Sequence, residues 1–593
     1  MSKKWSGITD KHWVETPADE WSDAVVAAMK LGGVDNLFFV SGSEVGYYQE
    51  AIAKAEERGW PAPKLITMVH EGVALNAALG YSMVTGKPSA TAVHVDVGLL
   101  NYGTAIHSAW RGNYPILITS GTGPRGFPGS MPGARDRHIQ WYQEPRDQAG
   151  ILRQYTKMDH RMEHQDNPGL MISRLLQIAM SEPKGPVYMA IPRETALLPM
   201  PGTTRFPTRD QLGVARPASP DPDDARQVAK WLIGANQPCI YTSQSGRNPE
   251  SIAELVRLAE LLAVPVVDSR QVQGLNFPTT HPLYGTGPEP KDADALVVIE
   301  SPMPWIPQTE SPSPDAAIAW IDPDPVQSRY KTMEFQADLW LPVDAAAAAR
   351  AIYEAATGML SKSDMSRIAD RRERLERRKH ELEEAAEKNA RRAAQRIPID
   401  PAWVSYQIQQ ILEPEALLLD DALSNSGSLR EFNRRSLPNT YFRRSGSSGG
   451  WGIGAAVGAK LAKPDCDVVL ATGDGFFMFG SPMEALWAAS YHKAPFLSVI
   501  YTNRSYSTGT MGLRSTYPKG VSARRGEYVG GVFDPPPDFA KLAETVNGYG
   551  ETVHEPDEVG PALRRGLDQV RKGHPAIISI WLPTLVEEMK MAD

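Results

Sequence analysis

Along this chain, short runs of consecutive apolar residues alternate with stretches whose apolar positions recur at helical spacing. From Trp21 to Pro199 the runs at 37–40, 65–69, 90–95, 116–119 and 187–191 predict strands, and patterns such as 23–31 predict the helices between them. Strand, helix, strand at this spacing argues for a parallel sheet covered on both faces. The rhythm returns at 223–348, with strands expected at 239–241, 264–267, 295–299 and 318–321 and a helix over 249–262. It returns again from Ile399, with strands at 416–419, 468–471, 496–501 and 576–581. Between these blocks lie a Pro-rich stretch, read as a linker, and a segment of mixed charge from Ser363 to Arg396, read as a solvated helix laced with i,i+4 pairs. The expected fold class is α/β, three consecutive parallel-sheet domains: 1–199, a linker 200–222, a central domain 223–360, a charged helical connector 361–398, and 399–593. The first and third blocks are compatible with distant copies of one design.

Length and composition narrow the function. A chain of 593 residues has room for two to four domains, each with a proper core. With 62 Lys+Arg against 70 Asp+Glu the net charge is −8, so the broad positive field of a nonspecific nucleic-acid binder is missing and no nucleic-acid partner is expected. Two cysteines, Cys239 and Cys466, exclude a disulfide framework and disfavour a cysteine-based metal site. No apolar run approaches the ~18 residues that span a bilayer, and the polar start lacks a signal-peptide core. The expectation is a soluble cytoplasmic enzyme. Familiar motifs fail on inspection. Gly86-Lys87 has its upstream glycine, Gly80, one residue too far away for a P-loop, and Pro88 follows the lysine. His70-Glu71 lacks the second histidine of a zinc helix, because position 74 is Ala. The glycines of 449–454 have no strand leading directly into them with an acidic residue about 20 positions on, as a dinucleotide fingerprint needs.

One constellation survives. The strand expected at 468–471 runs into Thr472-Gly473-Asp474-Gly475, and the next, at 496–501, into Thr502-Asn503-Arg504-Ser505-Tyr506. Asp474 and Asn503 then lie at the carboxyl ends of successive strands, where an open parallel sheet forms its ligand crevice. A carboxylate oxygen, an amide oxygen and a nearby carbonyl are hard ligands suited to Mg²⁺, which shares its sphere with phosphates. Gly473 and Gly475 allow close approach of a diphosphate.

This pairing resembles the Gly-Asp-Gly…Asn-Asn signature of thiamine diphosphate-dependent enzymes. The family's other half is matched upstream: His70-Glu71-Gly72 after the 65–69 strand resembles the glutamate-bearing junction of the pyrimidine-binding domain, and Gln140-Trp141-Tyr142-Gln143-Glu144 resembles a glutamine-bearing segment of acetolactate synthases. The order of pyrimidine-binding, central and diphosphate-binding domains is that of the acetolactate synthase and 2-oxo-acid decarboxylase group. The resemblance implies that Glu71 hydrogen-bonds N1′ of the cofactor's aminopyrimidine and favours its imino tautomer. It implies that Asp474 and Asn503 through their side chains, and Ser505 through its carbonyl, hold Mg²⁺, with Asn425, Gly450, Gly473, Gly475, Phe476 and Tyr506 also around the cofactor. His94, similar to a substrate-side histidine of benzoylformate decarboxylase-like members, together with Gln143 and Ser43, is implied on the substrate side. A homodimer or homotetramer, with Glu71 and the metal site of different subunits completing one pocket, is implied as well.

Three departures stand out. Thr502 replaces the first Asn of the pair, Arg504 stands where a small residue or glutamine is common and offers a charge near the substrate mouth, and Gly449 falls where a large aliphatic residue wedges the cofactor, leaving Trp451 or Ile453 for that task. The resemblance implies an enzyme that makes or breaks C–C bonds beside a carbonyl in a small oxo acid, hydroxy ketone or dione. An acetolactate synthase-like 2-oxo-acid decarboxylase or carboligase comes first. The alternatives are a non-decarboxylating C–C lyase or a cyclohexane-1,2-dione hydrolase-like member, with a 2-hydroxyacyl-CoA lyase behind them. No residue of 223–348 decides whether the central domain holds FAD.

Overall fold

A computed structural model describes residues 13–215, 218–269 and 272–592, so the first 12 residues of the expected N-terminal domain and positions 216–217 of the expected linker lie outside the described residues. The chain forms two compact units, one comprising Met1–Ala215 with Gly446–Ala462, the other Arg216–Ser445 with Lys463–Asp593. Among the described residues no helix is long and apolar enough to cross a membrane.

The first unit is built on six parallel strands in the spatial order Lys64–Met68, Asn36–Val40, Ser89–Val93, Ile116–Thr122, Val187–Pro192 and Asp159–Arg161. Ser89–Val93, Ile116–Thr122 and Val187–Pro192 are buried along their whole length, as a sheet covered on both faces requires. The start of the expected linker is instead a strand. Pro199–Pro207 pairs antiparallel with Trp13–Glu20 in a separate two-stranded sheet, and its prolines and glycine are tolerated because each strand has only one neighbour.

Helix Glu71–Thr85 packs against helix Trp451–Ala462. Small residues make this contact: a Cβ on Gly458 would lie 1.8 Å from the carbonyl oxygen of Ala77, and one on Gly80 would lie 2.1 Å from that of Ala455. Of the glycine-rich run at 449–454, Gly454 serves the same contact, where a Cβ would come within 3.1 Å of the Val73 carbonyl oxygen.

The second unit holds two sheets. Five parallel strands run in the order Val266–Asp268, Pro238–Thr242, Ala295–Ile299, Ala317–Ile321 and Leu339–Leu341. Six more run in the order Tyr441–Arg443, Leu417–Asp421, Val468–Gly473, Leu497–Thr502, Ala576–Trp581 and Tyr549–Val553. Numbered within its own sheet, this second order is two-one-three-four-six-five, the same as in the first unit.

The charged segment is a helix, Lys362–Ala393, opened by a Ser361 capping box. It is not solvated all round. Arg371 is buried and donates to the carbonyls of Ala235 (2.8 Å) and Leu262 (2.6 Å), at the carboxyl ends of helices Pro222–Gly234 and Pro249–Leu262. A cation there satisfies orphan carbonyls at the negative end of each helix dipole, although burial lowers the affinity of the guanidinium for its proton.

Candidate active site

In the first unit, the carboxyl ends of three adjacent strands converge. The turn after Asn36–Val40 carries Ser43 and Glu44, the residue after Ser89–Val93 is His94, and Ile116–Thr122 contributes Gly121. Glu44 is fully buried. Its Oε2 accepts a hydrogen bond from Ser43 Oγ (2.6 Å) and lies 3.2 Å from His94 Nδ1; its Oε1 lies 3.3 Å from the Gln140 amide nitrogen. The approach of Nδ1 is off the hydrogen-bond line, so that among the described residues this buried nitrogen has the carboxylate beside it but makes no hydrogen bond. On the other side of the ring, Nε2 is 2.8 Å from Nε2 of Gln143, whose own Oε1 is buried without a partner among the described residues.

Two glycines make room. A Cβ on Gly42 would sit 2.5 Å from His94 Nδ1, and one on Gly121 would sit 2.7 Å from the backbone oxygen of Glu44. Ser43, His94 and Gln143 thus belong to one connected cluster. Its centre, Glu44, is a residue that sequence reasoning missed; the available signal was an acid directly after Gly-Ser at a strand end.

Glu71 stands apart from this cluster, half-buried as the first residue of its helix, with Oε2 accepting from Asn101 Nδ2 at 2.8 Å. A carboxylate is favoured there by the helix dipole. Asn101, also absent from the expected site, fixes its direction.

In the second unit, strands Val468–Gly473 and Leu497–Thr502 are neighbours, so Asp474 and Asn503 follow adjacent parallel strands. Gly473, Asp474, Gly475, Phe476, Asn503, Ser505 and Tyr506 line one cavity of about 190 Å³, with Leu423 and Ser424 on its wall. Asp474 is buried, its Oδ1 accepting from Gly475 N (2.8 Å) and its Oδ2 from Arg504 N (2.6 Å). Burial raises its pKa to about 6 even though these backbone donors pull the other way. Asn503 Oδ1 accepts from Ser505 N (3.1 Å), which aims the amide within its own loop. Asn425 follows Ser424 in the chain, and its buried Nδ2 has no partner among the described residues. Gly450 lies in the other unit, at φ +84° just before helix Trp451–Ala462, where Trp451 and Ile453 are both buried.

The donor set fits a hard divalent cation. A single buried carboxylate, satisfied so far only by N–H groups, stands beside neutral oxygens at a cavity, and among the described residues no three His, Cys, Asp or Glu cluster as a self-sufficient metal cage. Such a site suits Mg²⁺ completed by phosphate oxygens. Gly475 serves packing as well: a Cβ there would come within 3.0 Å of the Tyr506 ring.

Arg504 corrects an expectation. Its guanidinium is buried, donates to the Leu582 carbonyl (3.0 Å) and to Glu587 (2.9 Å), and lies 4.5 Å over the Trp581 ring, so its charge is held inside the fold and not at an opening.

The central sheet has the order two-one-three-four-five, whose switch point lies between its first and third strands. There, buried Glu300 pairs with Arg247 at 3.0 Å, and Asp322, after the fourth strand, is pushed up to about 7 by burial first and by the charge of Glu300 second. A Cβ on Gly246 would meet the Leu275 carbonyl oxygen at 1.8 Å, so this glycine is filled by the protein's own backbone.

Comparison with known proteins finds thiamine pyrophosphate-binding domains in both the N-terminal and the C-terminal part of the chain. Residues 19–151 match the family described as "Thiamine pyrophosphate enzyme, N-terminal TPP binding domain", and residues 424–580 match "Thiamine pyrophosphate enzyme, C-terminal TPP binding domain". The chain is 26% identical to a probable acetolactate synthase of Mycobacterium bovis over 94% of both chains. It is 23% identical to a benzoylformate decarboxylase of Pseudomonas aeruginosa, over 75% of this chain and 79% of that one. Its fold is similar to that of a thiamine diphosphate-dependent 4-hydroxybenzoylformate decarboxylase from Rhodococcus jostii, with a TM-score of 0.74 at 20% identity over 95% of this chain and 99% of the other. With both cofactor-binding domains present and in order, the chain belongs to the thiamine pyrophosphate enzymes.

Proposed function

We propose that the protein is a thiamine diphosphate- and Mg²⁺-dependent, acetolactate synthase-like enzyme that decarboxylates a 2-oxo acid and either releases the aldehyde or joins it to a second carbonyl. The observation that carries this reading is the pair Asp474 and Asn503 at adjacent strand ends, opening with Ser505 onto one cavity. When bound, thiamine diphosphate supplies the nucleophilic carbon and the electron sink for cleavage beside a carbonyl. Asp474, Asn503 and the Ser505 carbonyl hold the cation that neutralises the diphosphate, with Asn425 Nδ2 a further donor. Glu71, kept in direction by Asn101, hydrogen-bonds the aminopyrimidine and shares a proton with it. Ser43, His94 and Gln143 face the substrate, and His94 carries protons to and from it. The working form is a homodimer or homotetramer in the cytoplasm, acting on small oxo acids or related ketones.

The test is turnover of a panel of 2-oxo acids, acyloins and cyclic diones with thiamine diphosphate and Mg²⁺, following CO₂ and coupled product by mass. CO₂ release with aldehyde or coupled product is expected. Product without CO₂ moves the assignment to a C–C lyase or dione hydrolase of the same family, and no turnover of any class rejects it.

A further inference from the structure

We infer that Glu44 is the positioning residue of this site: it fixes His94 in the tautomer that carries its proton on Nδ1, so that Nε2 is the atom that takes up and returns protons. The inference rests on the reading of His94 as a proton carrier. Its basis is the geometry at the two ring nitrogens. Nδ1 is buried, and the atom beside it is a carboxylate oxygen at 3.2 Å, which can only accept when ionised. Nε2 faces the amide nitrogen of Gln143 at 2.8 Å, which can only donate. Both neighbours select the same tautomer, Nδ1 protonated and Nε2 bare.

Glu44 is itself fixed. Ser43 donates to the oxygen that faces His94, Gln140 approaches the other oxygen, and Gln140 is anchored in turn by Asp136, whose Oδ1 accepts from Gln140 Nε2 at 2.9 Å and whose N donates to Gln140 Oε1 at 2.9 Å. The glycines at 42 and 121 exist at the two points where a side chain would push this stack apart. A fully buried carboxylate is costly unless paired; here the groups around it are two neutral donors and the imidazole. The Gln143 amide covers Nε2 until a substrate group takes its place. A proton that Nε2 has taken up from water passes to the substrate's carbonyl oxygen, and the same proton returns to Nε2 when the product's carbonyl forms. No other bond changes at these residues.

The experiment uses the full chain loaded with thiamine diphosphate and Mg²⁺ and labelled with [¹⁵N]histidine, the His94 ring signals being identified by their loss in His94→Gln. In alkaline buffer the wild type is expected to show Nδ1 protonated and Nε2 bare. Glu44→Leu, which fills the same volume without an acceptor, is expected to shift the ring towards the Nε2-protonated form and to lower kcat at least about tenfold on whichever panel substrate turns over. Glu44→Gln, which keeps an acceptor but no charge, should fall between the two. Hydrogen exchange at the thiazolium C2 of the bound cofactor, which reports on Glu71, should stay within about twofold. An Nδ1-protonated ring that persists in Glu44→Leu, or a wild-type ring protonated on Nε2, overturns the inference. If Glu44→Leu does not fold, the wild-type tautomer and the kcat of Glu44→Gln decide it. Loss of C2 exchange in the wild type would instead count against the cofactor reading and leave the ring result standing by itself.

Discussion

The two six-stranded sheets share one strand order, yet the residue that follows the third strand is His94 in one and Asp474 in the other. The first residue of the helix after the second strand differs in the same way: half-buried Glu71 in the first, buried Trp451 in the second. One topology supplies the same positions twice and furnishes them with different chemistry. In the first unit the third-strand residue is met by side chains, Glu44 and Gln143, the arrangement proposed above to set a proton. In the second it is held by backbone N–H groups, the arrangement proposed above to present a carboxylate to a cation. Strand ends give placement, and what surrounds each one decides between proton transfer and charge neutralisation.

The contrast can be broken in several places. Glu71→Ala, at the helix-start position, is expected to cut turnover by about 10²- to 10⁴-fold while the thermal midpoint holds; turnover near wild type would remove Glu71 from the chemistry. Asp474→Ala, at the third-strand position, is expected to weaken Mg²⁺-dependent thiamine diphosphate binding by about 10- to 100-fold, the scale of losing a charged hydrogen-bonding partner, as read by quenching of tryptophan fluorescence. His94→Ala should leave that binding unchanged, and equal losses in both variants would erase the distinction between the two positions. Gly458→Val tests the helix pair alone: the added side chain meets the Ala77 carbonyl, and a loss of about 1–3 kcal/mol in urea unfolding is expected.

The smallest effect is in pH. The Asp474 carboxyl keeps its proton in the native fold up to about pH 6, above its range in an unfolded chain. Stability from this group is therefore full at low pH and is lost as pH rises through about 6, when a bare carboxylate is left buried. A cation reverses that loss. The rise in melting temperature on adding Mg²⁺ should be small at pH 5 and larger at pH 7.5, and an increment independent of pH would detach the cation from Asp474.

How much of this was legible in the sequence follows from burial. Strands such as Ala295–Ile299 and Ala576–Trp581, apolar on nearly every position, stood out at their true bounds. The edge strands Asp159–Arg161, Leu339–Leu341, Tyr441–Arg443 and Tyr549–Val553 did not, since short strands with a single neighbour need no apolar run. Pro199–Pro207 read as a linker because its prolines and glycine are turn residues, and only a partner distant in sequence, Trp13–Glu20, makes it a strand. Asp474 and Asn503 were legible because their flanking strands were. Glu44 was not: its role depends on His94 and Gln140, each brought to it by a different segment, and no local pattern encodes that meeting.

Arg504 carries a last consequence. Its backbone N–H holds Asp474, while its guanidinium holds Glu587 and the Leu582 carbonyl, so one residue ties the loop of the proposed cation site to the helix Leu585–Ala592. Occupancy at one end and docking at the other are then thermodynamically reciprocal: whatever tightens the loop should shield that helix from a protease, and clipping the helix should be felt as a looser grip on the ion.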